Sequence, residues 1–265
     1  MKRGTRVELK IAIQLASLNL PFKKALHTAA ELGARAVEID IRRELNPQSL
    51  TQTGLREMRK ILDDRNLRVC AVTFRTQRGY NVLEELDRRV AATKEALKFA
   101  YKLGAPVVVN QVGRVPDESQ GPEWDLLVQV LSDLGHFSHH IGAWLAAETG
   151  SEEPANLARL IQALPAGAIA VTLDPGNLVV NGFSVRSALA SLGRHVLHVH
   201  AKDGVRDLAQ GRGIEVPLGR GSVDFPDLIA SLEEHDFRGY YTIERERCAN
   251  PVLEIGQAVQ YLRSL

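Results

Sequence analysis

The sequence predicts a (β/α)8 barrel made by a single domain over residues 1–265. Three observations lead there. Strand-like and helix-like patterns alternate eight times along the chain. The length matches the roughly 250 residues common for that fold. The strand-like runs are short, rich in Val and Ile and nearly continuous in apolar character, as parallel strands covered on both faces are. No Ser/Gly-rich or Pro-rich linker divides the chain. The competing fold is a doubly wound open sheet. That fold usually opens with a glycine-rich turn after its first strand, and the turn here reads ASLNLP.

The elements follow in order. Candidate strands begin near Ile11 (IAIQL), Ala36 (AVEID), Arg68 (RVCAVTF), Pro106 (PVVVNQV), Ala143 (AWLAAE), Ile169 (IAVTLD), Val196 (VLHVHA) and Tyr240 (YYTIE). Amphipathic helices fill the intervals. Pro21 to Leu32 stops at Gly33, and Asn81 to Leu103 at Gly104, both suited to the left-handed position after a helix. Leu50 to Asp64, Trp124 to His140, Pro154 to Leu164 and Ser184 to Leu192 come between strands. Phe225 to Glu234 follows Asp224 and has Pro226 in its first turn. Leu253 to Leu265 closes the chain. Long loops follow candidate strands four and seven, on the barrel face where substrates are held.

Composition narrows the function. The chain is 45% hydrophobic and 25% charged, with 33 Lys plus Arg against 32 Asp plus Glu. A net charge of +1 gives no global attraction to nucleic acid or to a membrane. Cys70 and Cys248 stand far apart with no CxxC, so neither a disulfide framework nor a structural zinc cluster is expected, and a reducing compartment, the cytoplasm, fits. The start, MKRGTRVELK, is basic before an apolar run. Glu8 and Lys10 interrupt it, and the apolar part reads as a first strand rather than a signal sequence. No apolar run reaches the roughly 20 residues of a membrane span.

Four polar residues end four successive strand-like runs: Glu148, Asp174, His200 and Glu244. A carboxylate or imidazole just past a buried strand is costly unless it has a partner. In a barrel the four meet at one mouth, and three carboxylates with one imidazole suit a hard or borderline divalent cation. Structural roles stay open for each: Asp174 in an Asp-Pro-Gly turn, Glu244 in a salt bridge with Arg245 or a neighbouring Lys. His198 and His200 alternate, so both point to one side of their strand, and one can bind while the other supports it. Gln14, Glu38 and Gln111, at the ends of strands one, two and four, are candidate hydroxyl contacts or fillers of a polar barrel layer. Arg212 and Arg220 among glycines allow a phosphate cradle or plain solvated arginines.

The segments LAAETG, VTLDPGNLV, HVHAKDG, VPLGRGSVDFPDLI and GYYTIERE carry a resemblance. The chain resembles, over nearly its whole length, the xylose-isomerase-like barrel superfamily. That superfamily includes ketose 3-epimerases, hydroxypyruvate isomerase, inosose dehydratase and endonuclease IV. The resemblance implies one divalent ion (Mn²⁺, Mg²⁺, Co²⁺ or Zn²⁺) held by Glu148, Asp174, His200 and Glu244. It also implies Arg206, six residues after the metal His, as a substrate contact. Asn177 falls where many epimerases have a substrate-binding His; it can bond a hydroxyl but cannot shuttle a proton. The ends of strands three and four, TFR and VNQ, lack the histidines of the DNA-repair branch.

The expected chemistry is proton abstraction next to the carbonyl of a sugar or sugar phosphate, through an enediolate held at the metal. Glu148 and Glu244 would exchange protons on opposite faces, and Lys202 would steady the charge. Isomerisation or epimerisation is the leading outcome. A dehydratase acting on a keto-inositol or keto-sugar is the alternative, and a non-catalytic sugar-binding barrel a further one. The resemblance also implies association into a homo-oligomer.

Overall fold

A computed structural model describes residues 8–45, 47, 50–206 and 213–265. The basic residues of the first seven positions and Arg212 lie outside the described residues. The barrel is closed, all its pairings are parallel, and helices lie between the strands. Its strands are β1 (Ile11–Gln14), β2 (Ala36–Asp40), β3 (Arg68–Thr73), β4 (Val107–Asn110), β5 (Trp144–Glu148), β6 (Ala170–Leu173), β7 (Val196–Ala201) and β10 (Tyr241–Ile243). Each is one of the eight strands expected from the sequence, within a residue or two at its start. The closure joins β1 to both β10 and β2, with Ile13 opposite Ile243 and Val37. The fold is the (β/α)8 TIM barrel.

Alternation along the strands decides what the barrel holds, since side chains two residues apart share a face. Ile11 and Ile13 of β1 point outward and pack in the main core under the helices. The opposite face is built in layers. At the bottom are small apolar side chains, Ala12, Ala36 and Cys70 in one cluster and Ala71, Val107, Val109, Ala146 and Ala170 in another. Two residues further along the same rows come Gln14, Glu38, Thr73, Glu148 and Thr172, all buried. Polar groups thus sit on a floor of alanine and valine.

The helices are α1 (Phe22–Glu31), α2 (Gln52–Asp63), α3 (Leu86–Leu103), α4 (Pro122–Ile141), α5 (Pro154–Ala163), α7 (Val185–Leu192), α8 (Phe225–Glu234) and α9 (Pro251–Ser264), with a short α6 (Pro175–Val180). Three features depart from expectation. First, α3 begins at Leu86, not Asn81: Glu85 takes a left-handed φ of 52° immediately before it, which a helix cannot absorb. Second, α6 forms directly after β6, because Asp174 caps it and Pro175 fits its first turn. Third, the loop after β7 contains a hairpin, β8 (Asp203–Val205) against β9 (Ile214–Val216). Buried Asp203 holds that loop by accepting the backbone N–H groups of Gly204, Gly219, Gly221 and Val223. Among the described residues no helix is long and apolar enough to cross a membrane.

Candidate metal centre at the barrel mouth

Glu148, Asp174, His200 and Glu244 converge, with one potential ligand atom of each lying within 4.8 Å of the others. All four are buried. His200 Nδ1 is the hub: Glu148 Oε1 and Glu244 Oε2 each lie 3.0 Å away and Asp174 Oδ2 3.8 Å away. Asp174 divides its oxygens between two tasks. Its Oδ1 accepts the N–H of Asn177 at 2.7 Å and caps α6, while Oδ2 is buried without a hydrogen-bond partner. Glu244 Oε2 is likewise buried without a satisfied hydrogen bond, its neighbours being the cationic groups of His200 and Lys202. Asp174 is therefore the turn residue that caps α6 and keeps one oxygen free of that task.

Local structure permits this crowding. Gly150, two residues past Glu148, has φ +114°, and a side chain there would meet the Cβ of Asn177 at 2.3 Å. Glycine lets the first turn of α6 close onto the end of β5 and bring Asp174 beside Glu148.

Behind His200 lies a second group. Glu38, fully buried, accepts from His200 Nε2 at 3.0 Å and His198 Nε2 at 2.7 Å on one oxygen. On the other it accepts from Gln14 Nε2 at 2.9 Å and from Thr73 Oγ1. The register of β2 against β3 shifts at Val37/Glu38, a bulge of the kind that re-aims a side chain. Glu38, His198 and His200 also have the composition of a metal site, but both Glu38 oxygens are saturated. The two buried carboxylate oxygens without a hydrogen bond among the described residues, Asp174 Oδ2 and Glu244 Oε2, lie on the Nδ1 side of His200. The donor set therefore fits one divalent cation among Glu148, Asp174, His200 Nδ1 and Glu244. Glu38 holds the opposite nitrogen, as outer carboxylates commonly do for metal-binding histidines.

The charges respond to this packing. Burial alone would raise Glu38, but His200 and His198 hold it well below the usual carboxylate range. Burial opposes charge on His200 as well, and Glu38, Glu244, Asp174 and Glu148 overturn it and raise the imidazole well above its ordinary value. Glu148 and Glu244 are also lowered against their burial, chiefly by His200, with Arg75 contributing to both. Asp174 goes the other way: its burial outweighs Lys202 and raises it.

The other expected residues separate into those at the centre and those beside it. Lys202, buried, points its Nζ to Glu246 at 3.0 Å, Glu244 at 3.7 Å and Asp174 at 3.8 Å. Gln111 Nε2 donates to Glu148 Oε2 at 3.2 Å. Gln14 and Glu38 lie beneath the centre, one bonded to the other, rather than at the mouth. Asn177 stands half-buried in the first turn of α6, against Gly150. Arg206 is exposed and its guanidinium lies over Gly182.

Sequence reasoning passed over Arg75 and Glu246. Arg75 Nη2 lies 2.9 Å from Glu244 Oε1 and 3.5 Å from Glu148 Oε1, and Nη1 lies 3.6 Å from Glu246 Oε1. The signal for both was the period of two, since Arg75 follows Thr73 and Glu246 follows Glu244 on inward-facing rows. Arg75, Glu244 and Glu246 line a polar cavity of about 230 Å³ with Gln14, Ser17 and Asp40.

Sequence comparison matches the description xylose isomerase-like TIM barrel to residues 26–265. The chain belongs to the xylose isomerase-like TIM barrel family. Within and around that family, inosose dehydratase of Clostridium beijerinckii is 24% identical over 245 residues, covering 78% of this chain and 79% of the relative. Inosose dehydratase of Geobacillus thermodenitrificans is similar to the same extent. Among solved structures, a xylose isomerase domain protein from Planctomyces limnophilus superimposes with a TM-score of 0.84 at 25% identity, covering 97% of each chain. A xylose isomerase-like TIM barrel protein from Mycobacterium smegmatis, solved in complex with magnesium, shares the fold with a TM-score of 0.75 at 18% identity, over 97% of this chain and 96% of the other.

Proposed function

We propose that this protein is a divalent-metal-dependent enzyme that removes a proton next to the carbonyl of a keto-sugar, and that it isomerises or epimerises that substrate. One observation carries the reading: Glu148 and Glu244 flank the same His200 nitrogen at 3.0 Å each. Two carboxylates on two sides of one bound substrate can take a proton from one face and return another to the opposite face. When bound, the divalent ion acts as a Lewis acid that draws charge from the substrate carbonyl.

The chain's own groups perform the rest. Glu148 is held by Gln111 on Oε2, which restrains its orientation before substrate arrives. Glu244 is set by Arg75 on Oε1. In epimerisation one carboxylate accepts the substrate proton and becomes a carboxylic acid; both are held as carboxylates beforehand, so the other takes a proton from solvent and delivers it to the opposite face. Lys202, 3.7 Å from Glu244 Oε2, is placed to stabilise negative charge as it grows on the substrate oxygens.

A second reading, dehydration, is favoured by the relatives named inosose dehydratase. It begins with the same proton removal and then expels a β-hydroxyl as water, for which either carboxylic acid could supply the proton. Solvent deuterium exchange on a panel of ketoses and keto-inositols separates the outcomes. Deuterium retained at the carbon beside the carbonyl, in recovered substrate or its epimer, supports epimerisation. Loss of water with appearance of an unsaturated ketone supports dehydration. Neither event on any panel member, in protein loaded with Mg²⁺ or Mn²⁺, leaves a sugar-binding barrel.

A further inference from the structure

The side chains that continue the inward rows past the ligand layer, Arg75 and Lys202, share one carboxylate. Glu246 Oε1 lies 3.0 Å from Lys202 Nζ and 3.6 Å from Arg75 Nη1. The three differ in exposure: the Lys202 side chain is 3% exposed, that of Arg75 30% and that of Glu246 43%. Two cations are thus built into the wall of the mouth, and the anion between them is the most exposed of the three.

The loop carrying Glu246 is pinned independently of this contact. The backbone N–H groups of Glu246 and Arg247 donate to the Glu215 carboxylate at 3.1 Å and 3.3 Å, and Glu215 pairs with Arg245 at 3.0 Å. The Glu246 side chain can therefore swing away by rotation about its own bonds while its backbone stays in place. Lys202 and Arg75 cannot follow, since each is also tied to Glu244. Without Glu246, Lys202 keeps only its longer contacts to Glu244 and Asp174, and Arg75 keeps Glu244 and Glu148 on Nη2, so Lys202 Nζ and Arg75 Nη1 each have donor capacity left for an incoming anion. A guanidinium fork together with an ammonium suits the oxygens of a carboxylate or phosphate.

We propose that Arg75 and Lys202 form a subsite for an oxyanion carried by the substrate, a carboxylate or a phosphate, and that Glu246 is the internal group it displaces. This rests on the keto-sugar reading above and narrows it to acidic keto-sugars. Recognition is direct and non-covalent. The incoming group takes over the donors of Lys202 and Arg75, and Glu246 turns to solvent.

The test is calorimetric titration with D-fructuronate and D-fructose, which differ by a carboxylate in place of one hydroxymethyl group. It is run on wild type, Glu246→Gln, Arg75→Gln, Lys202→Gln and Asp40→Asn, with and without excess magnesium. The quantity read is the ratio of the two affinities. Glu246→Gln is expected to raise the preference for fructuronate roughly tenfold, the worth of one charge-assisted hydrogen bond. Arg75→Gln and Lys202→Gln are each expected to collapse that preference. Asp40 lines the same cavity and touches neither cation, so Asp40→Asn reports the general effect of removing a negative charge. A preference unchanged in Glu246→Gln for both fructuronate and fructose 6-phosphate over fructose overturns the proposal, as does an equal rise in Asp40→Asn. Failure of both fructuronate and fructose 6-phosphate to bind Glu246→Gln overturns it too. If removal of either cation prevents folding, the comparison of Glu246→Gln with Asp40→Asn decides alone. A phosphate preference is read by adding fructose 6-phosphate to the same series; tightening of this ligand instead of fructuronate assigns the subsite to phosphate. Because only binding is measured, failure here is distinct from failure of proton transfer, which the exchange experiment reads.

Discussion

Single atoms decide what His200 can do. Its Nε2 is committed to Glu38, so its Nδ1 is the atom offered to a cation beside Glu148, Asp174 and Glu244. Replacing Glu38 by Gln keeps the volume but removes the charge that orients the ring and raises its basicity. Divalent-ion affinity is then expected to fall by roughly 10- to 100-fold, the usual worth of such an outer carboxylate. Competition against a chelator measures it, and unchanged affinity would assign Glu38 to packing alone. For Glu148→Gln and Glu244→Gln the expectation concerns chemistry. Each should lower solvent deuterium exchange by about 100-fold or more while circular dichroism stays that of wild type. Near-normal exchange in either variant removes that residue from proton transfer.

Loops between elements hold the mouth together, and one of them should respond to pH. Glu152, after β5, accepts the backbone N–H of Val115 at 2.8 Å and so ties the loop after β4 to the loop after β5. Its burial raises the carboxyl to about 7, against the lowering effect of the Val115 bond and of Arg114 and Arg159. The sign follows from proton linkage. A carboxyl whose folded value is raised binds its proton more tightly when folded, so its contribution to stability is greatest at low pH. That contribution is lost as pH rises from about 4.5 through about 7. Glu152→Gln fixes the neutral form. It is expected to raise the melting temperature near neutral pH and to flatten the melting profile across that window. An equal profile for variant and wild type would show that Glu152 ionises freely in the folded protein. The same neighbourhood depends on Gly150, where any side chain would strike Asn177 and push α6 off β5.

Across the whole molecule, the barrel gathers three buried carboxylates that lie far apart along the chain, an arrangement that ion binding to the folded state should stabilise. At about a hundred times its dissociation constant, a ligand of the folded state adds about 2.7 kcal/mol. Excess Mg²⁺ or Mn²⁺ is therefore expected to raise the melting temperature of wild type, and a chelator to reverse the rise. Asp174→Asn, which can still cap α6, should melt at one temperature with or without the ion. A metal-dependent rise retained in Asp174→Asn would place the ion elsewhere. Much of this was legible in the sequence. Eight short apolar runs separated by amphipathic helices dictate a barrel, because parallel strands must be covered on both faces. A charged residue at the end of such a run must find a partner, which singled out Glu148, Asp174, His200 and Glu244. The alternation of small and polar side chains also contained Arg75 and Glu246, two residues beyond Thr73 and Glu244. What the sequence left open was which partner each group takes, since that depends on how strands distant along the chain align around the closure. Closure and the bulge at Glu38 set Glu38 behind His200 and not at the mouth. The folding of α6 gave one oxygen of Asp174 to a cap and left the other for a cation. Periodicity fixes the face a side chain occupies; only the three-dimensional register between strands sets the few ångströms that separate a hydrogen bond from a ligand.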